Sequence, residues 1–231
     1  MAHDYWLEPE AFMMPAGSSV IVRMYLGDDF KIEEERPFQK NQTPRFQMFS
    51  AQETQNLLPS GQDGKSPVAQ VTPRVAGNYL IAMERNAQNI KLDAEKFRQY
   101  LAEEGLNQII ALRQQSGEDK TEGRERYSRY LKSLLKVGDR NTDVYNRIVG
   151  HRLELVPQAN PYELKVGDPL KVRVYFDGKP LSGAKIFAYS REAGQVFTQS
   201  ATTSGDGSMS FTLDRPGQWL IRLVHMRRCA A

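Results

Sequence analysis

The stretch 170-LKVRVYFDGKPLSGAKIFAYSREAGQVFTQSATTSGDGSMSFTL-213 decides the fold. Its strand-like runs, Leu170 to Phe176, Lys185 to Tyr189, Val196 to Thr203 and Ser208 to Leu213, are separated by short polar turns. Asp177-Gly178 and Asp206-Gly207 are the strongest of these turns, because both residue types tolerate the positive φ that tight hairpins demand. Working outward, Leu153-Glu154-Leu155-Val156 precedes the block and Gln218 to Met226 follows it. Strands at this spacing with no helix between them predict an immunoglobulin-like antiparallel β-sandwich over 147–231 and exclude a parallel α/β sheet.

Residues 1–91 also read as β-rich. Ser19 to Leu26 alternates apolar and polar residues and closes on Gly27-Asp28-Asp29, and further strands are expected at Arg45 to Phe49 and Gly77 to Met83. Asn56 to Pro73 is rich in Gly, Ser, Pro and Gln and marks turns. A change of period then predicts a helical insertion over 92–138. Asp93 is a candidate N-cap, Phe97, Tyr100 and Leu101 share a helical face, and Gly105 stands where that helix stops. A second helix carries Leu106, Ile109 and Ile110. Tyr127, Tyr130, Leu131, Leu134 and Leu135 give the stripe of a third, ending at Gly138, with Arg124, Arg126, Arg129, Lys132 and Lys136 on its wet face. The predicted class is therefore mainly β, with a short helical insertion between two β regions.

Composition narrows the function classes. The net charge of +3 is small and the charged residues are interleaved, which argues against a nucleic-acid partner. No apolar run approaches the roughly 18 residues of a membrane-crossing helix. Cys229 is the only cysteine, so an internal disulfide and a cysteine zinc cage are excluded. The Ala2-His3 junction reads as the product of leader cleavage, with Met1 added as a start, and predicts an exported protein. Nucleophile elbows, His-Glu-x-x-His, phosphate-cradling glycine loops and Cys-x-x-Cys do not occur, so a non-enzyme is expected.

Only three histidines exist, His3, His151 and His225. Imidazole is the commonest protein ligand for nickel, copper and zinc, and affinity in nitrogen sites rises toward Ni²⁺ and Cu²⁺. A strand at His3 to Glu8 pairing with one at Leu220 to Met226 would bring His3 and His225 together. Asp4, Glu8 and His151 are the additional candidate ligands or supports. Met1-Ala2-His3 itself offers an amine, two amides and an imidazole, a square-planar set favoured by Cu²⁺ and Ni²⁺.

The motifs HDYWLEP at 3–9, LDAEKF at 92–97, YLAEEGL at 100–106, GRERYSRY at 123–130, GHRLELVP at 150–157, NPY at 160–162 and DRPGQWLIRLVHM at 214–226 occur in order along nearly the whole chain. In these segments the sequence resembles the NikM-like family of bacterial exported proteins. The resemblance implies a periplasmic component of nickel or cobalt uptake that binds Ni²⁺ or Co²⁺, or a chelate of either, and works with membrane transporter components. Cu²⁺ and Zn²⁺ are further candidates from the histidine chemistry. The alternative is a non-catalytic cell-envelope interaction module that binds protein or carbohydrate through sandwich loops.

Overall fold

Alternating residues at the start of the chain build the first sheet. The computed structural model describes residues 3–229 and is mainly β, 46% strand and 13% helix. β1 (Asp4–Pro9), β2 (Met13–Met14), β3 (Val20–Asp28) and β4 (Lys31–Glu35) come first, followed by β5 (Arg45–Phe49), β6 (Thr54–Asn56) and β7 (Ala69–Val71). β1, β4 and β7 all pair antiparallel with β3. Val20, Val22 and Met24 face inward on β3 while Ile21, Arg23 and Tyr25 face out, the period of two that a half-buried strand requires.

The second sheet is organised by a long antiparallel hairpin of β8 (Gly77–Leu92) and β9 (Gly123–Val137), flanked by β5 and β6 on one side and by β2, parallel to β9, on the other. Phe46, Met48, Tyr79, Ile81, Met83, Leu131, Leu135 and Val137 meet Leu7, Val22, Met24 and Val71 of the first sheet in one core. Fully burying a side chain of this size contributes about 1.5–3 kcal/mol. At the far end of the hairpin sit α1 (Ala94–Glu103) and α2 (Asn107–Gln115). The Asp93 side chain accepts from the Lys96 N–H at 2.9 Å, and Phe97, Tyr100 and Leu101 are buried against Leu106 and Ile109.

The expected third helix does not form: residues 123–137 are strand β9. Leu131, Ser133, Leu135 and Val137 are buried in alternation, whereas Lys132, Leu134 and Lys136 take the other face. Leu131, Leu134 and Leu135 make a helical stripe when Ser133 is counted as polar surface; pairing with β8 selects the strand, which buries Ser133 and turns Leu134 to the opposite face, against Phe49, Leu80, Ala82 and Val144. The basic cluster from Arg124 to Lys136 consequently lies along a strand, not on a wet helical face.

The carboxyl-terminal sandwich follows the expectation closely. β10 (Leu153–Pro157), β11 (Pro169–Phe176), β12 (Lys179–Pro180), β13 (Lys185–Glu192), β14 (Gln195–Thr202), β15 (Ser208–Thr212) and β16 (Gln218–Arg222) form two antiparallel sheets. One holds β10, β11, β12 and β15; the other has the order β14-β13-β16. Leu170, Val172, Val174, Met209 and Phe211 of the first pack on Ile186 and Ala188 of the second. Asp177 at φ +49 and Gly178 at φ +74 make the predicted left-handed turn.

The outer face of this second sheet rests on the amino-terminal strands, where Trp6, Phe30 and Tyr189 are buried together. β1 does not pair with the last strand as expected. Its partner is β3, and the partner of β16 is β13. Side chains, not a shared ladder, therefore join the two ends of the chain.

Candidate functional site

The site is set by one irregularity in the β3–β4 hairpin. Its turn uses Asp29 at φ 51 and Phe30 at φ 60, and the register shifts beside it, so that Leu26 opposes Glu34 while Gly27 opposes Ile32. Glu33 is the extra residue of this bulge, and bulges re-aim a side chain that regular pairing would direct elsewhere. Gly27 is required there, because a Cβ would sit 1.8 Å from the Lys31 carbonyl oxygen. Pairing of Asp4 with Gly27 sets His3 beside Asp28.

The outcome is a convergence of one imidazole and two carboxylates. His3, Asp28 and Glu33 each offer a ligand atom within 4.8 Å of the others, and among the described residues this is the one such group of three or more. His3 Nε2 lies 3.3 Å from Glu33 Oε2, with the two side chains 41% and 49% exposed. Water and a solute cation reach such a cluster freely.

The other predicted ligands lie elsewhere. Asp4 follows His3 in a strand, so its carboxylate points to the opposite face, onto Arg222, with Nε and Oδ2 3.1 Å apart. Burial pushes the Asp4 carboxyl up to about 6 even though the Arg222 charge opposes this. His225 packs its ring on Phe176 at 4.4 Å, and burial followed by the Arg227 charge pulls its pKa down. His151 is 4% exposed, tilted against Tyr130 at 5.4 Å, and its Nε2 has no hydrogen-bond partner. Burial above all, with Lys132 and Arg45, pushes it down to about 3, so the ring is neutral near neutrality. Glu8 is held by Arg191 at 2.6 Å.

His3, His151 and His225 nevertheless border one feature, a cleft of about 1790 Å³ between the amino-terminal sandwich, the helix pair and the carboxyl-terminal sandwich. It exceeds the 300–1,000 Å³ usual for small-molecule pockets. Asp28 and Glu33, which complete the ligand group, were not among the residues expected from sequence. Their signal is local, a Gly-Asp-Asp turn followed by three consecutive glutamates at 33–35.

No functionally curated protein matches the sequence. Among solved structures, a DUF4785 family protein of Legionella pneumophila is similar at 7% identity and a TM-score of 0.25, covering 90% of this chain and 47% of that one. The D0-D1 domain of intimin is similar at 9% identity and a TM-score of 0.24, covering 94% of this chain and 88% of that one. This chain thus spans about half of the first and most of the second, and neither likeness is strong enough to carry an argument. Residues 1–227 match the family described as Domain of unknown function (DUF4198), and the chain belongs to it.

Proposed function

We propose that this DUF4198 protein is an exported metal carrier of the NikM-like type, which captures Ni²⁺ or Co²⁺ and yields it to a membrane transporter component in the periplasm. The observation that carries the reading is the convergence of His3, Asp28 and Glu33. An imidazole nitrogen selects for later first-row divalent metals, and two carboxylates supply compensating charge. Three protein ligands leave coordination positions open for water or for a receiving protein's donors. Exposure of His3 and Glu33 suits a cargo that must leave again. The cation is substrate here, and no bond-making step is assigned to the protein.

Calorimetric titration with Ni²⁺, Co²⁺, Cu²⁺ and Zn²⁺, using protein trimmed to begin at His3, tests the reading. Stoichiometric micromolar binding is expected, weakened at least tenfold by Asp28→Asn or Glu33→Gln and by His3→Ala. Metal binding indifferent to both carboxylate substitutions would reduce the site to amine and imidazole chelation and overturn the assigned ligand set. Absence of micromolar binding to all four ions overturns the function.

A further inference from the structure

The cleft beside His3 is walled by strand edges. β1, β10 and β16 are terminal strands of their sheets, and β9 is paired on its outer side only at Lys136 and Val137. Consecutive residues of these strands border the space, Asp4 to Glu8, Arg124 to Leu134, Leu153 to Leu155 and Gln218 to Arg222. Neighbouring strand residues point to opposite faces, so a wall containing both sets is a backbone edge.

Past β16 the chain continues along the same wall. Leu223 to Met226 are half-buried, yet among the described residues the backbone groups of 223–229 have no backbone hydrogen-bond partner. A run of unpaired N–H and C=O groups along a strand edge is a template for pairing with another chain. Beneath this edge the carboxyl-terminal core is open: Leu153, Leu155, Trp219, Ile221 and Leu223 pack on it and remain only half-buried.

Charge restricts the occupant. Eleven lysine and arginine residues border the cleft; seven of them pair with acids, and Arg113, Arg126, Arg129 and Lys165 have no ion-pair partner among the described residues. A lipid-like molecule would cover the leucines and leave the strand N–H groups unpaired. An added strand satisfies the edge, the open core and the positive field together.

We propose that the cleft takes up an extended acidic segment of another protein, apolar side chains alternating with Asp or Glu, which adds as a strand to the free edge of β16 and its continuation to Cys229. The apolar set covers Leu153, Leu155, Trp219 and Ile221, and the carboxylates face the arginines. The proposal is independent of the metal reading, because it uses none of His3, Asp28 or Glu33.

The probe is a twelve-residue peptide of alternating valine and glutamate, added to the full chain and followed by calorimetry and amide hydrogen exchange. Exchange over 218–229 is expected to slow at least tenfold, and affinity to fall as NaCl screens the charges. The same peptide N-methylated on its pairing side should not bind. Leu223→Pro removes an N–H that has no backbone partner, so peptide affinity should drop at least tenfold below that of Leu223→Ala, which loses the same apolar packing and keeps the N–H. The proposal is overturned by unchanged exchange at 218–229, by equal binding of the N-methylated peptide or of a valine–lysine peptide, or by a concentration-dependent dimer that already protects 218–229 without peptide.

Discussion

Arg222 Nε lies 3.1 Å from Asp4 Oδ2, and the same guanidinium reaches Glu104, so one side chain ties the first strand, the end of α1 and the last strand together. The Asp4 contact is an ion pair without hydrogen-bond alignment. All three side chains are shielded, at 18%, 14% and 8% exposure. Removing the one cation strands two buried carboxylates. Arg222→Met should therefore cost about 3–5 kcal/mol in urea unfolding, well above the value for an exposed ion pair. A loss below about 1 kcal/mol would show that water reaches the carboxylates.

The Asp4 carboxyl makes this junction sensitive to pH. Burial raises its pKa from 3.8 to about 6, with Glu104, Asp28 and Asp29 adding to the rise and Arg222 opposing it. The folded protein thus binds this proton more tightly than the unfolded chain does, and the associated stability is complete below the unfolded value and lost as pH rises through the folded one. The stability of wild type relative to Asp4→Asn should fall by about 3 kcal/mol between about pH 4 and pH 7. Urea midpoints across that range measure it, and a difference that grows with pH would contradict the assignment.

The readability of the chain tracks how far each feature depends on distant pairing. Asp93 and Gly105 bound α1 through contacts within a few residues, and Asp177-Gly178 fixes a hairpin by its own backbone preference, so all were legible. Strand β9 was not, since Leu131, Leu134 and Leu135 make a helical stripe and only the ladder to β8 reveals that Ser133 is a core position and that Leu134 faces the other way. The candidate site divides in the same way. His3 stood out by its chemistry. Asp28 and Glu33 join it through a bulge between β3 and β4, and strand alternation carries Asp4, the nearest acid in sequence, to Arg222. His225 follows a strand whose pairing partner differs from the one expected, and it stacks on Phe176.

Glu154 links the two sandwiches through a second buried cluster. Its side chain is 1% exposed, pairs with Lys132 of β9, and accepts the N–H groups of Val149, Gly150 and His151 at 2.7, 3.0 and 3.1 Å. Lys132→Met removes one partner and leaves those N–H bonds in place. Glu154→Ala orphans the three N–H groups and removes the counter-charge of a mostly buried ammonium, which keeps only the carbonyls of Arg147 and Leu155. Both should destabilise by several kcal/mol, on the order of 3–5 for the lysine, with the glutamate substitution the more damaging. Equilibrium urea unfolding of the two variants orders them, and a reversed order would place the energy in the ion pair alone.

Gly123 opens β9 directly under α1, and a Cβ there would lie 2.1 Å from Cγ of Phe97, with two more ring atoms within 2.4 Å. Its constraint is space and not backbone conformation, since its φ is not in the left-handed region. Phe97 is 4% exposed, carries Arg113 over its ring at 4.9 Å, and forms the centre of the helix-pair core with Tyr100 and Leu101. A flexible side chain end would swing away, but a buried ring held on several sides must take α1 with it. Gly123→Ala should cost about 1–3 kcal/mol by overpacking, and the damage should concentrate at the hairpin tip. Limited proteolysis is therefore expected to cut the 94–115 helices first while the 170–213 sandwich stays resistant. Gly64→Ala, at φ +74 with open space around its Cβ position, provides the contrast: it pays only the left-handed strain of about 1 kcal/mol and should leave the helices as protected as in wild type.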